Sequence, residues 1–218
     1  MDKNYEIAVF DVDGTLLDTT EGVLAAVKYT IEKHGLEQIT DEQLLTFIGP
    51  PMQDSFAKVY GIDGELVQEL TTTFRNRYKD YELFKAKPYD GIYEVFDELQ
   101  KKGVKLAVAT YKRQDYAEAI LKHFGFDKYT NILYGADHQN KLKKVDIIEK
   151  CMNDLGVTDY SNAVMIGDSG HDANGAKLIG MDFIGVTYGF DFRTSEDVAK
   201  YPCAGCAHTT LELLKFFK

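Results

Sequence analysis

Asp11-Val12-Asp13-Gly14-Thr15 follows directly on a short apolar run, Tyr5-Glu6-Ile7-Ala8-Val9-Phe10. A second acidic segment, Gly167-Asp168-Ser169-Gly170-His171-Asp172, follows Ala163-Val164-Met165-Ile166. Thr110 stands just after Val104-Lys105-Leu106-Ala107-Val108-Ala109, and Lys141, Lys143 and Lys144 open a later helical pattern. In an open parallel sheet, ligands bind at the carboxyl ends of the strands. Carboxylates, a hydroxyl and a lysine therefore converge on one edge. Four carboxylates there repel unless a cation joins them. An all-oxygen site with few protein ligands suits Mg²⁺, which keeps several waters and often shares a phosphate oxygen. The ion and a lysine together bind a phosphate dianion. Asp11 can then attack phosphorus, and Asp13 can serve as general acid and then base. Catalysis of this kind is mostly positioning and charge stabilisation.

The elements that must hold these residues are visible in the hydrophobic pattern. Five short apolar runs, the three named above with Ile132-Leu133-Tyr134 and Phe183-Ile184-Gly185-Val186, fit strands buried on both faces. Amphipathic stretches of crossover length lie between the later ones. Ile92, Val95, Phe96 and Leu99 share a helical face, as do Ala117, Ile120, Leu121 and Phe124, and Val145, Ile148 and Met152. Gly103, Gly125 and Gly156 stand where those helices should stop. This alternation predicts an α/β fold, a doubly wound and mostly parallel sheet. The interval after the first strand reads as all helix. Asp18 with Glu21 predicts a capping box, Val23, Val27 and Ile31 one buried face, and Gly35 the helix end. Further helices are predicted at Asp41–Ile48, Met52–Tyr60 and Asp63–Tyr81, with a break at Gly49-Pro50-Pro51. Lys87-Pro88-Tyr89-Asp90-Gly91 is a turn-rich return. The expected domains are an α/β core from residues 1–16 and 88–218 and a helical insert over 17–87.

The 218 residues carry 25 basic and 35 acidic side chains, a formal charge of −10. That balance disfavours a nucleic acid polymer or an anionic membrane as partner, since both reward clustered Lys and Arg. No apolar run is long enough to span a bilayer, and the N-terminal stretch does not read as a secretory signal. Three cysteines argue against a disulfide scaffold and for a reducing cytoplasm.

Asp11-Val12-Asp13-Gly14-Thr15-Leu16 resembles the first motif of the haloacid dehalogenase superfamily. Thr110 resembles its second, Lys144-Val145-Asp146-Ile147-Ile148 its third, and Met165 through Asp172 its fourth. The resemblance implies a nucleophilic Asp11 passing through an aspartyl-phosphate, with Asp13 as acid and base. It implies Mg²⁺ held by Asp11, the Asp13 carbonyl and Asp168, with Asp172 in support, and Thr110 and Lys144 on the phosphoryl oxygens. It makes the helical insert a small cap that closes over substrate and helps to select it. Ile48 through Phe56 and Lys87 through Ile92 look like the phosphoglycolate phosphatase and 5′-nucleotidase-like group. True dehalogenases and phosphonate hydrolases lack an acid at the position of Asp13, so Asp13 argues against both. The expectation is a cytoplasmic Mg²⁺-dependent phosphatase acting on a small phosphorylated metabolite. A 5′-nucleotidase, a β-phosphoglucomutase-type mutase and a non-catalytic binding module are the alternatives.

Plainer readings accompany several of these residues. Thr110 can cap the helix that follows it, and Asp172 can cap the helix near Ser169. Lys144 is preferred to Lys141 and Lys143 because Val145, Ile148 and Met152 continue its face and the family pattern places Lys there. His171 reads as a bystander. Cys203, Cys206 and His208 suggest zinc, but structural zinc needs a fourth ligand. Arg75, Arg77, Lys85 and Lys87 could place positive charge near a cap-bound substrate, but for most of them a solvated helix face is the better reading.

Overall fold

The computed structural model describes residues 3–139 and 141–218. The chain divides into two units, residues 1–17 with 88–218, and residues 18–87.

The first unit is built on a sheet of six parallel strands. They are β1 (Ile7–Phe10), β4 (Lys105–Arg113), β5 (Leu133–Ala136), β6 (Ala163–Gly167), β7 (Asp182–Val186) and β8 (Gly205–Ala207). Their spatial order is β5-β4-β1-β6-β7-β8. The chain thus builds outward from β1 on one side and returns to build outward on the other. That reversal opens a crevice at the carboxyl ends of the central strands, the usual ligand site of this architecture.

Both faces of the sheet are covered, which explains the continuous apolar runs. Alternation along β1 shows how. Ile7 and Val9 pack with Ile147 and Ile148 of α7 (Lys144–Asp154) and Ala173 and Ala176 of α8 (Gly170–Leu178). Phe10 faces the other way and meets Phe96 of α5 (Ile92–Lys101), ring centroids 4.8 Å apart. Phe96 in turn meets Phe126, just after α6 (Gln114–His123), at 5.4 Å. Gly103, Gly125 and Gly156 all have positive φ just beyond a helix end, which stops each helix where the sequence predicts. A last short helix, α9 (Ser195–Val198), precedes β8.

Two short strands, β2 (Leu17–Asp18) and β3 (Lys87–Pro88), pair with each other where the chain leaves and re-enters this unit. The second unit contains α1 (Thr20–Lys33), α2 (Asp41–Leu45), α3 (Met52–Tyr60) and α4 (Gly64–Arg77). Its interior includes Val23, Val27, Ile31, Leu44, Phe47, Phe56, Leu70 and Phe74, all buried.

Three local expectations are corrected here. Asp18 does not form a capping box. Its Oδ1 accepts from the Thr20 N–H at 3.0 Å, and Thr19 is the N-cap, with no side-chain cap bond. The helix expected over Asp63–Tyr81 ends at Arg77 and passes into a π-helical turn, Tyr78–Glu82. That turn places Glu82, 1% exposed, against Arg77 at 2.6 Å and Lys85 at 2.6 Å. Arg77 and Lys85 both pair with this buried carboxylate, while the Lys85 side chain stays exposed. The helix expected over Asp41–Ile48 ends at Leu45.

Candidate active site

The site is assembled at the carboxyl ends of β1, β4 and β6 and the first residue of α7. Asp11 follows β1, and its N–H donates to the Ile166 carbonyl of β6 at 2.9 Å. Residues 12–17 then fold tightly back, since Val12 O accepts from the N–H groups of Leu16 at 2.9 Å and Leu17 at 3.0 Å. Asp168 follows β6. Its Oδ2 accepts from the Phe190 N–H at 2.6 Å and the Asp191 N–H at 3.4 Å. Ser169 is the N-cap of α8, and Asp172 completes a capping box with it. The capping role of Asp172 is thus present, but its other oxygen is engaged elsewhere.

Lys144 Nζ lies 2.7 Å from Asp11 Oδ1 and 2.6 Å from Asp172 Oδ1. Lys144 is 3% exposed and Asp172 0%. Lys141 and Lys143 are exposed, so the geometry selects Lys144 from the basic cluster. Its backbone N–H donates to the Tyr111 hydroxyl at 2.9 Å.

Burial and charge set the protonation of this group. Burial pushes the Asp11 carboxyl up to about 7, with the charges of Asp172 and Asp13 adding, against the pull of the Lys144 ammonium. Burial likewise raises Asp168 well above the ordinary carboxylate range, helped by Asp172 and Asp11 and opposed by the Phe190 and Asp191 amides. For Lys144, burial works against the charge, but Asp11 and Asp172 outweigh it and hold its pKa above that of an ordinary lysine.

Asp11, Asp168 and Asp172 offer carboxylate oxygens that all lie within 4.8 Å of one another. With all three acids ionised against one lysine, two negative charges would stand in excess. That excess and the hard oxygen donors fit a divalent cation such as Mg²⁺. Asp13 lies near this group, and its charge bears on Asp11. The Asp13 carboxylate pairs with Lys112, Nζ to Oδ1 at 3.0 Å.

Thr110 is buried, 1% exposed. It does not cap α6, whose N-cap is Arg113. Its Oγ1 accepts from the Lys112 N–H at 3.1 Å, which leaves the hydroxyl hydrogen to donate elsewhere. His171 meets the Tyr111 ring edge-on, centroids 5.1 Å apart.

The residues beyond the sequence reading are Lys112, Tyr111 and the amides of Phe190 and Asp191. Lys112 carried a usable signal, because it stands two residues after Thr110 on a strand. The amides carried none. Among the described residues, Cys203, Cys206 and His208 do not form a metal cluster. His208 Nδ1 lies 2.8 Å from the Thr187 hydroxyl, and its Nε2 lies 3.2 Å from the Ser195 hydroxyl.

Gly14 shows how tightly the acidic loop is packed. Its φ is +79°, and an added Cβ would lie 2.1 Å from Asp168 Oδ2. Gly14→Ala should lose at least about 1 kcal/mol to left-handed backbone strain alone. It should also displace Asp168 and weaken stabilisation by added Mg²⁺, both read from thermal unfolding with and without the ion.

Residues 8–186 match the family described as haloacid dehalogenase-like hydrolase. A 5′-nucleotidase of Pseudomonas aeruginosa is 34% identical over 206 residues, 93% of this chain and 91% of that protein. The pyrophosphatase PpaX of Halalkalibacterium halodurans is 33% identical over 181 residues, 83% of this chain and 82% of its own. A haloacid dehalogenase-like family hydrolase of Streptococcus pneumoniae superposes with a TM-score of 0.90 at 26% identity, over 98% of this chain and 99% of that one. With the motifs, the sheet order and the site all in place, this chain is an enzyme belonging to the haloacid dehalogenase-like hydrolase family.

Proposed function

We propose that the protein is a Mg²⁺-dependent phosphatase that hydrolyses a small phosphomonoester through an aspartyl-phosphate on Asp11. The observation that carries this reading is Lys144 Nζ bridging Asp11 and Asp172 in a buried site, with Asp168 beside them. Once a divalent cation offsets the excess acid charge, such a site would hold and orient a phosphate anion that a water-exposed surface would bind weakly.

In this reading Asp11 attacks phosphorus, a new O–P bond forms, and the ester P–O bond breaks. Asp13 gives its proton to the departing alkoxide. Asp13 then takes a proton from water, whose oxygen attacks phosphorus and frees inorganic phosphate and the Asp11 carboxylate. Lys144 and the Thr110 hydroxyl steady the phosphoryl oxygens. Asp11, Asp168 and the Asp13 carbonyl, supported by Asp172, would hold Mg²⁺, which when bound supplies positive charge to those oxygens.

Residues 18–87 serve as the cap that selects the substrate, with phosphoglycolate as the first candidate. The relatives named for 5′-nucleotides and pyrophosphate widen the panel to nucleoside monophosphates and pyrophosphate. The three cysteines, all free thiols, support a reducing, cytoplasmic setting. No helix among the described residues is long and apolar enough to cross a membrane.

The test is phosphate release with Mg²⁺ across 2-phosphoglycolate, nucleoside monophosphates, sugar phosphates and pyrophosphate. Stoichiometric release is expected from at least one of them. Dialysis against EDTA should remove the activity, and Mg²⁺ should restore it. Full activity in excess EDTA would overturn the metal assignment. Isomerised sugar phosphate without phosphate release would make the enzyme a mutase.

A further inference from the structure

Lys112 is a buried lysine whose position the fold has arranged. Its side chain is 7% exposed, and lysine is rarely so buried without a partner. The ammonium lies 3.0 Å from Asp13 Oδ1. β1 and β4 are adjacent, with Phe10 beside Val108, so the residues after each strand's apolar run meet at one edge. The β4–β5 register shifts between Ala109 and Arg113, and an irregularity of this kind re-aims the side chains within it. The Thr110 hydroxyl holds the Lys112 N–H inside that irregular stretch. Gly135 of β5 makes room for it, since a Cβ there would lie 2.4 Å from the Lys112 carbonyl oxygen.

We infer that Lys112 is the positioning residue for Asp13, fixing the direction of the carboxyl group that moves the proton. The inference rests on the reading of Asp13 as acid and base. With Oδ1 held by the ammonium, the direction in which the Asp13 carboxyl presents itself is fixed. Lys144 has a separate duty at Asp11 and Asp172, so the two lysines act on different acids of the site.

A general acid matters most when the leaving group is a strong base and little when it departs unaided. Phenyl phosphate and p-nitrophenyl phosphate have similar shapes and differ in that respect. Their kcat/KM values report the transfer of the phosphoryl group to the enzyme. Lys112→Met should lower kcat/KM for phenyl phosphate by about 30-fold and for p-nitrophenyl phosphate by about 3-fold or less, a fraction of a typical general-acid contribution. Lys112→Arg should recover much of the phenyl phosphate rate. Lys112→Gln, measured in parallel, should show the same bias as Lys112→Met, so unfolding of one variant leaves the test intact. Unfolding temperatures establish that the variants compared are folded.

Equal losses on both esters, or no loss on either, would overturn the inference. Asp13→Asn separates its failure from that of the mechanism. A strong phenyl phosphate bias in Asp13→Asn without one in Lys112→Met removes only Lys112. Absence of bias in Asp13→Asn removes the acid role and Lys112's role with it.

Discussion

Asp11→Asn should lower turnover by at least about 10⁴-fold, the scale seen when a nucleophile is removed from a working site. The fold should survive, because Asn keeps the size of Asp and Lys144 keeps Asp172 at 2.6 Å. The variant should also change how stability depends on pH. In the metal-free protein, burial raises the Asp11 carboxyl to about 7, whereas in the unfolded chain it titrates near 4. Between those values the native state holds a proton that the unfolded state has lost. Native stability therefore falls as pH rises from about 4 through about 7, by an amount on the order of a few kcal/mol. Asp11→Asn lacks that proton and should show a shallower fall. Asp168, also raised, keeps part of the slope. Denaturant titrations in EDTA at several pH values measure both. A wild-type stability that rises over this range would contradict the charge balance described for the site.

Lys144→Met should damage turnover less, by about 10²–10³-fold, the range for losing one preorganised charge-stabilising donor. Its effect on stability should be larger than that of Asp11→Asn. Removing one partner of a buried ion pair typically costs about 3–5 kcal/mol, because the other charge stays buried. Here two carboxylates, Asp11 and Asp172, lose the same ammonium. Protonation of Asp11 relieves part of the strain, so the cost should be greater at pH 8 than at pH 6. Added Mg²⁺ should recover part of it. Chemical denaturation at the two pH values, with and without the ion, provides the check. Equal stability of Lys144→Met and wild type at pH 8 without metal would show that the ammonium does not balance these acids.

The strands were legible because each central one is buried on both faces, which leaves a nearly unbroken apolar run and a polar residue where it ends. That pattern located Asp11, Thr110 and Asp168. Lys144 was legible from the face shared by Val145, Ile148 and Met152 together with the family pattern. The misses have physical causes. Asp18 satisfies a backbone N–H two residues on, not three, and the same residue types permit either turn. The π-helical turn at Tyr78–Glu82 leaves no mark in helical spacing, since it arises where Arg77 and Lys85 converge on Glu82. Lys112 stands two residues beyond Thr110, where an apolar run gives no guide and the irregular end of β4 carries its polar edge further. The amides that hold Asp168 come from a loop some twenty residues on, and a backbone N–H has no side-chain signature.

The central claim is a covalent phosphoryl group on Asp11. Rapid acid quench during turnover of a ³²P-labelled phosphate ester, followed by peptide mapping, tests it most directly. The structure predicts label on the peptide that contains Asp11, released by hydroxylamine as an acyl phosphate should be, and absent in Asp11→Asn. Turnover with no labelled protein at any quench time, or label on another residue such as Ser169 or His171, would contradict it.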